Sequence, residues 1–224
     1  MKEIVLDTET TGISVKEGHR IVEIGCIELD NLVPTKNKFH FYLNPERKVS
    51  EKAFEIHGYT DEFLSKQKKF NEIVDEFLEF INGKKLIIHN ADFDIGHLNN
   101  ELSLSGKNKI SNKIIDTLVL AREKFPGSSI SLDALCKRFR IDNSKRNKHT
   151  ALIDCDLLAK VYINLIDQKE PSFNLVDRND PVDMEDALIN KKTISYSKKV
   201  IKPTVEELKK HKEYISKNLK KNYY

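Results

Sequence analysis

Apolar positions first recur in short β-type runs. Residues 3–7 (EIVLD) and 21–29 (IVEIGCIEL) are rich in Ile and Val and flank a turn-forming stretch from Thr11 to Gly18, a pattern that predicts two strands joined as a hairpin or meander. At 38–43 (KFHFYL), Phe39, Phe41 and Leu43 alternate with His40 and Tyr42, which gives a third strand one apolar face, and Asn44-Pro45 ends it. The period then changes. Within 61–82, Ile73, Phe77, Phe80 and Ile81 fall three and four residues apart and Gly83 stands where a helix closes, the mark of an amphipathic helix. The run 85–89 (KLIIH) reads as a buried strand, followed by a helix from Ala91 to Leu104. After the polar loop 105–113, Ile114-Ile115 supplies a short edge strand, and helices are expected at 117–124, at 131–139 with Ser131 as its cap, and at 150–167. Strands alternating with helices in this way predict an α/β fold, a mixed sheet flanked by helices.

Pro171 marks the end of this core. The pattern divides the chain into a domain at 1–170, a linker at 171–200 without sustained periodicity, and a basic C-terminal segment at 201–224, where Leu208, Ile215 and Leu219 punctuate a polar helix. A chain of 224 residues suits one buried core with an appendage. Charge follows the same division: the net +3 arises because Lys191–Tyr224 holds 11 lysines and three glutamates, while residues 1–190 hold 27 basic and 32 acidic side chains. Overall basicity is therefore no argument for a nucleic-acid-binding core. The three cysteines, Cys26, Cys136 and Cys155, are an odd, scattered set without metal-ligand spacing, which suggests neither a disulfide framework nor a zinc site. The first residues are too soon interrupted by acid to form a signal peptide, and no run reaches membrane-spanning length. A cytoplasmic protein without membrane contact is expected.

Three motifs place ionisable side chains at special points of this pattern. Asp7-Thr8-Glu9-Thr10-Thr11-Gly12 closes the first strand, and since residues i and i+2 share a face, Asp7 and Glu9 project together. Two adjacent anions repel, so the pair costs stability unless a cation joins it, and hard oxygen ligands suit Mg2+ or Mn2+. A solvated strand end is the plain alternative. Asp94 follows the buried strand in His89-Asn90-Ala91-Asp92-Phe93-Asp94, where it is either a further ligand aimed over the sheet edge or an acid favoured by the helix dipole. His149 precedes the last core helix and Asp154 occupies its second turn; they approach one site from different levels, or they are a surface histidine beside a helix acid.

In this order, D-x-E, D and H-x4-D, the motifs resemble those of the DEDDh 3′→5′ exonucleases. The resemblance is strongest to the epsilon proofreading subunits of bacterial DNA polymerase III, through DTETTG (7–12), GHRIVEIG (18–25), IHGYTDEFL (56–64), HNADFDIGHLNNEL (89–102), DTLVLAR (116–122), SLDALCKRF (131–139) and HTALIDCDLLAKVY (149–162). It spans residues 1–167 and, more weakly, the tail. It implies a ribonuclease H-like sheet and a pair of Mg2+ or Mn2+ ions bound by Asp7, Glu9 and Asp154, with Asp94 completing the second metal site partly through water. By the same resemblance His149 is the general base, apt because an imidazole can take a proton at neutral pH. Thr10, Thr11 and Gly12 would cradle the terminal nucleotide and His57 and Asn90 line the substrate site, although His57 also reads as a turn residue before Gly58.

The implied partners are DNA 3′ ends and the polymerase alpha subunit, the latter held through KPTVEELKKHKEYI (202–215), where a tether raises effective concentration. Glu170–Leu175 resembles a clamp-binding peptide with anchors Phe173 and Leu175, its usual leading glutamine replaced by Glu170. An exonuclease engages few terminal nucleotides and meets their phosphates through metal ions, which accounts for an acidic core and implies weak DNA affinity. Two rivals stand beside this reading: an RNA-directed DEDDh exonuclease that trims tRNA or degrades oligoribonucleotides, and a non-catalytic polymerase accessory that keeps the fold as a scaffold.

Overall fold

The apolar runs become five strands. In the computed structural model, which describes residues 2–144, 146, 148–167 and 203–218, β1 (Lys2–Thr10), β2 (Ile21–Asp30) and β3 (Val33–Tyr42) form an antiparallel meander. Parallel to β1 on its other side lie β4 (Lys85–Ile88) and then β5 (Ile114–Asp116), giving the order β3-β2-β1-β4-β5. Parallel neighbours require long crossovers. Between β3 and β4 run α1 (Glu51–His57), α2 (Asp61–Ser65) and α3 (Val74–Ile81); α4 (Ala91–Leu104) links β4 to β5, and α5 (Thr117–Lys124), α6 (Leu132–Phe139) and α7 (Ala151–Asp167) follow.

Alternation along β1 sends its side chains to two cores. Ile4 and Leu6 pack with Phe77 and Ile81 of α3 and Leu98 and Leu102 of α4, whereas Val5 packs with Ile87 and with Leu135, Leu158 and Ala159 of α6 and α7. Burying each large aliphatic or aromatic chain stabilises the fold by roughly 1.5–3 kcal/mol. The start of α7 lies on β2 at Gly25, where a Cβ would stand 2.7 Å from the Ala151 carbonyl carbon and 2.8 Å from the Leu152 nitrogen. A residue without a side chain is required there.

Sheet register opens the ground for a site. Pairing of β1 with β4 ends at Val5↔Ile87, while β1 continues to Thr10 alongside β2. The end of β1 thus has no β4 neighbour, and the first turn of α4 fills the space.

Several elements depart from the sequence pattern. The helix α1 was not signalled by periodicity, since Phe54 and Ile56 are exposed; its ends are set by Ser50, whose hydroxyl accepts from Ala53 N, and by Gly58 at φ 79°. The helical stretch 61–82 is broken because Lys68 leaves the helix to pair with Leu43, and Asn44 N donates to Lys68 O at 2.8 Å. Strands β1 and β3 run further than their apolar alternation, carried by pairing to β2. Asp154 stands in the first turn of α7, not the second, because the helix begins at Ala151.

The chain divides into two units, Met1–Ser172 and Phe173–Tyr224. In the second, α8 (Val205–Asn218) opens on a reciprocal cap: Thr204 Oγ1 accepts from Glu207 N at 3.3 Å and the Glu207 carboxylate accepts from Thr204 N at 2.7 Å. The linker 171–200 and the peptide bearing Phe173 and Leu175 lie outside the described residues. No helix among the described residues is long and apolar enough to cross a membrane.

Candidate active site

Asp7 and Glu9 share the β1 face that looks toward α7. Among the described residues, ligand atoms of Glu9, His149 and Asp154 all lie within 4.8 Å of one another. Asp94 arrives from the opposite side: its Oδ1 accepts from Thr8 N at 2.9 Å and Thr8 Oγ1 at 2.7 Å. That backbone N–H is one the absent β4 neighbour leaves free, so the gap in the sheet and the acid that fills it are one feature. The carboxylate of Asp116 accepts from Asn90 N, Ala91 N and Leu118 N at 3.1, 3.0 and 2.8 Å, which holds the start of α4 and caps α5 together.

The fourth acid has a cation on it. Arg146 donates to both oxygens of Asp154, Nε to Oδ1 at 2.6 Å and Nη2 to Oδ2 at 2.8 Å, and its Nη2 also stands 2.9 Å from His149 Nδ1. An arginine only donates, so in the neutral ring Nδ1 accepts and the proton rides on Nε2. The 3.4 Å approach of Nδ1 to Asp154 Oδ2 becomes an attraction once the ring is protonated.

Electrostatics separates these acids. Burial, reinforced by repulsion from Asp94, Glu9 and Asp154, holds Asp7 well above the usual carboxylate range. Burial and repulsion from Asp154 and Glu23 lift Glu9 to about 8. Asp94 is pushed up to about 7 by burial, against the pull of its two Thr8 hydrogen bonds. Burial acts upward on Asp154 as well, but the attraction of His149 in its protonated form and the hydrogen bonds and charge of Arg146 outweigh it and bring it below its ordinary value. A site whose acids resist ionisation lacks positive charge, and carboxylate oxygens with one imidazole are the donor set of a hard divalent cation. The residues fit such an ion.

Beside Glu9 opens a cleft of about 620 Å³ lined by Thr10, Gly12, Ile13, His57, Phe93 and neighbouring residues. His57 is buried, its Nδ1 accepting from Tyr59 N at 3.0 Å, so that Nε2 carries the proton. Gly12 admits the His19 ring, which a Cβ would meet at 2.3 Å. Two residues expected at the substrate lie outside the lining of this cleft. Thr11 is fully buried, with Oγ1 accepting from Arg20 N and 3.0 Å from His19 Nδ1; Asn90 is exposed at the head of α4 with φ 71° and does not line the cleft.

The exonuclease model of the RNase T type matches residues 4–162. The chain is 51% identical over 228 residues to the DNA polymerase III subunit epsilon of Rickettsia conorii, covering 100% of this chain and 99% of that one. To the same subunit of Salmonella typhimurium it is 50% identical over 170 residues, covering 72% and 70%. The chain belongs to the RNase T exonuclease family, with the DNA polymerase III epsilon subunits. Its enzymatic class is 3′→5′ exonuclease. Solved exonucleases share the fold: the nuclease domain of 3′hExo, a DEDDh family member bound to rAMP, superposes with a TM-score of 0.64 at 17% identity, covering 75% of this chain and 92% of that one. Exonuclease X in complex with 5′ overhanging duplex DNA gives 0.59 at 24%, covering 74% and 92%.

Two residues of this exonuclease site were not marked out as functional by the sequence pattern. Glu23, fully buried on β2, accepts from Tyr59 Oη at 2.8 Å and from Ala151 N at 2.9 Å, and its Oε1 lies 2.7 Å from His40 Nε2. It therefore seats the first turn of α7 beside the acids. An acid between Val22 and Ile24 on a buried strand was the available clue. Arg146 offered only its nearness in sequence to Asp154.

The raised acids also set a pH dependence. A carboxyl whose pKa is raised on folding binds its proton more tightly in the fold, so stability is present below the unfolded value and lost as pH climbs toward the folded one. Burial lowers His57, His89 and His97, so above pH ~6.5 they are neutral in both states and Asp94, near 7, and Glu9, near 8, dominate. The exonuclease melted in EDTA is expected to lose melting temperature between pH ~6.5 and ~8.5, with Mg2+ restoring more of it at the higher pH. A melting temperature that climbs over this range in EDTA contradicts the electrostatic account.

Proposed function

We propose that this chain is the proofreading 3′→5′ exonuclease subunit of a replicative bacterial DNA polymerase, hydrolysing mispaired 3′-terminal nucleotides with a pair of divalent ions, Mg2+ or Mn2+. The observation that carries the reading is the convergence of Glu9, His149 and Asp154 within 4.8 Å at the end of β1, with Asp94 anchored to Thr8 beside them. Asp7, Glu9, Asp94 and Asp154 would hold the ions, which supply charge to offset the scissile phosphate and lower the pKa of the attacking water.

The protein's own groups do the rest. Asp7 and Glu9 are fixed by a strand and Asp154 by a helix start, so little reorganisation is needed. His149 is the general base: its lone pair exchanges the Arg146 contact for the water, takes the proton, and the resulting imidazolium is held by Asp154. Thr10, Gly12 and His57 receive the terminal nucleotide in the cleft. Thr11 keeps the Thr11–Arg20 loop in shape behind them, and Asn90 meets the strand from the head of α4.

Residues 1–170 form the exonuclease domain in this reading, with 171–200 as linker and 201–224, including α8, as the segment that binds the polymerase alpha subunit. Phe173 and Leu175 would anchor a sliding clamp, and the protein works in the cytoplasm. The test is nucleotide release from matched DNA and RNA strands in Mg2+: faster release from DNA, with His149→Ala slowing it by roughly 10²–10⁴-fold, is expected. Preference for RNA would overturn the proofreading assignment.

A further inference from the structure

We propose that Arg146 is a positioning residue of this site, its guanidinium setting the carboxylate plane of Asp154 for a divalent cation and orienting the ring of His149, the general base, beside it. The inference rests on the functional reading above. Its geometric basis is a fork in which every nitrogen is engaged: Nε and Nη2 take the two oxygens of Asp154 at 2.6 and 2.8 Å, Nη2 also reaches His149 Nδ1 at 2.9 Å, and Nη1 donates to Asp133 Oδ2 at 2.6 Å. The Arg146 side chain is 7% exposed.

A planar fork does what a point charge cannot. Two parallel hydrogen bonds fix the rotation of a carboxylate as well as its place. A carboxylate offers about four lone-pair directions, so two remain for an ion after Arg146 has bound. Among the described residues, Asp154 is the one of the four site acids held by an ion pair. His149, its side chain 44% exposed and ahead of the helix, has its ring held by the same group. Asp133 on α6 supplies a fixed point outside the site, itself braced by Asn143 Nδ2 at 2.9 Å. Partners behind a metal ligand commonly matter about 10–100-fold in metal affinity or activity.

The experiment compares the full chain with Arg146→Ala and Arg146→Lys, measuring Mn2+ binding by calorimetry and kcat and KM on single-stranded DNA. Arg146→Ala is expected to weaken Mn2+ binding and lower kcat by roughly 10–100-fold each, with KM unchanged. Arg146→Lys should recover only part of both, since an ammonium cannot fork. If Arg146→Ala does not fold, Asp133→Asn, which removes only the outer anchor, is expected to shift both readouts in the same direction by a smaller factor. Wild-type Mn2+ affinity and kcat in Arg146→Ala, full recovery in Arg146→Lys, or, in the fallback, an Asp133→Asn variant unchanged in both readouts overturns the proposal. A wild-type chain that binds no Mn2+ overturns the functional reading and this inference together, whereas normal wild-type binding with indifferent variants overturns the role of Arg146 alone.

Discussion

Replacing Asp7 by Asn and Glu9 by Gln together is expected to abolish hydrolysis and, without divalent cations, to make the protein more stable. The two carboxamides match the carboxylates in shape but carry no charge. On β1 the native pair faces Asp154 and Glu23, and burial with mutual repulsion already lifts Glu9 to about 8 and Asp7 well above its usual range. Removing two charges that the fold resists should raise stability near pH ~8 on the order of 1–2 kcal/mol, or roughly 2–8 °C in melting temperature for a chain of this size. The same change removes oxygen ligands from the cation, so nucleotide release should fall by roughly a thousandfold or more, the several kcal/mol that metal-assisted charge stabilisation provides. Melts in EDTA and nucleotide release in Mg2+ check the two halves. A double variant that melts lower would show that these acids hold the fold together instead of burdening it.

The second large effect is expected at a residue with no ionisable group. Gly25→Ala places a Cβ 2.7 Å from the Ala151 carbonyl carbon, 2.8 Å from Leu152 N and 2.9 Å from Ala151 O. These are backbone atoms of the first turn of α7, which cannot rotate aside, so the helix itself must move. Overpacking of this kind costs about 1–3 kcal/mol, sometimes more. The displaced turn carries Asp154 three residues on, and a shift of about 1 Å in a catalytic group can slow a reaction roughly a hundredfold. Gly96→Ala is the control: it lies in α4 with nothing within 4 Å of its Cβ, and should gain roughly 0.5–1 kcal/mol. Equal activity and melting temperature in Gly25→Ala would show that α7 does not sit against β2 as described.

Much of this arrangement was legible in the chain before the fold. The pairing of Asp7 with Glu9 follows from strand geometry, and the strand does run through both. The helices at Ala91–Leu104 and Thr117–Lys124 match the apolar pattern, and the helix after Ser131 starts from the cap that Ser131 provides. What stayed hidden has a common physical cause. Helix α1 is defined by its two caps, Ser50 and Gly58, and not by a buried stripe. The break at Lys68 depends on its bridge to Leu43. Glu23 owes its role to Ala151, 128 residues away, and Arg146 to a fork that no local period announces. Local pattern reveals faces; long-range hydrogen bonds decide which polar residues those faces bring together.

The central claim is that the acids at the end of β1 make a cation-dependent site for removing mispaired 3′ nucleotides. It is tested most directly by release of mononucleotides from a duplex with a mismatched 3′ end, with Mg2+ or with EDTA, by the wild-type chain and by Asp154→Ala. The account predicts release by the wild type in Mg2+, faster from the mismatched than the matched end, and none in EDTA or from Asp154→Ala. Release that persists in EDTA, or in Asp154→Ala at the wild-type rate, would contradict it.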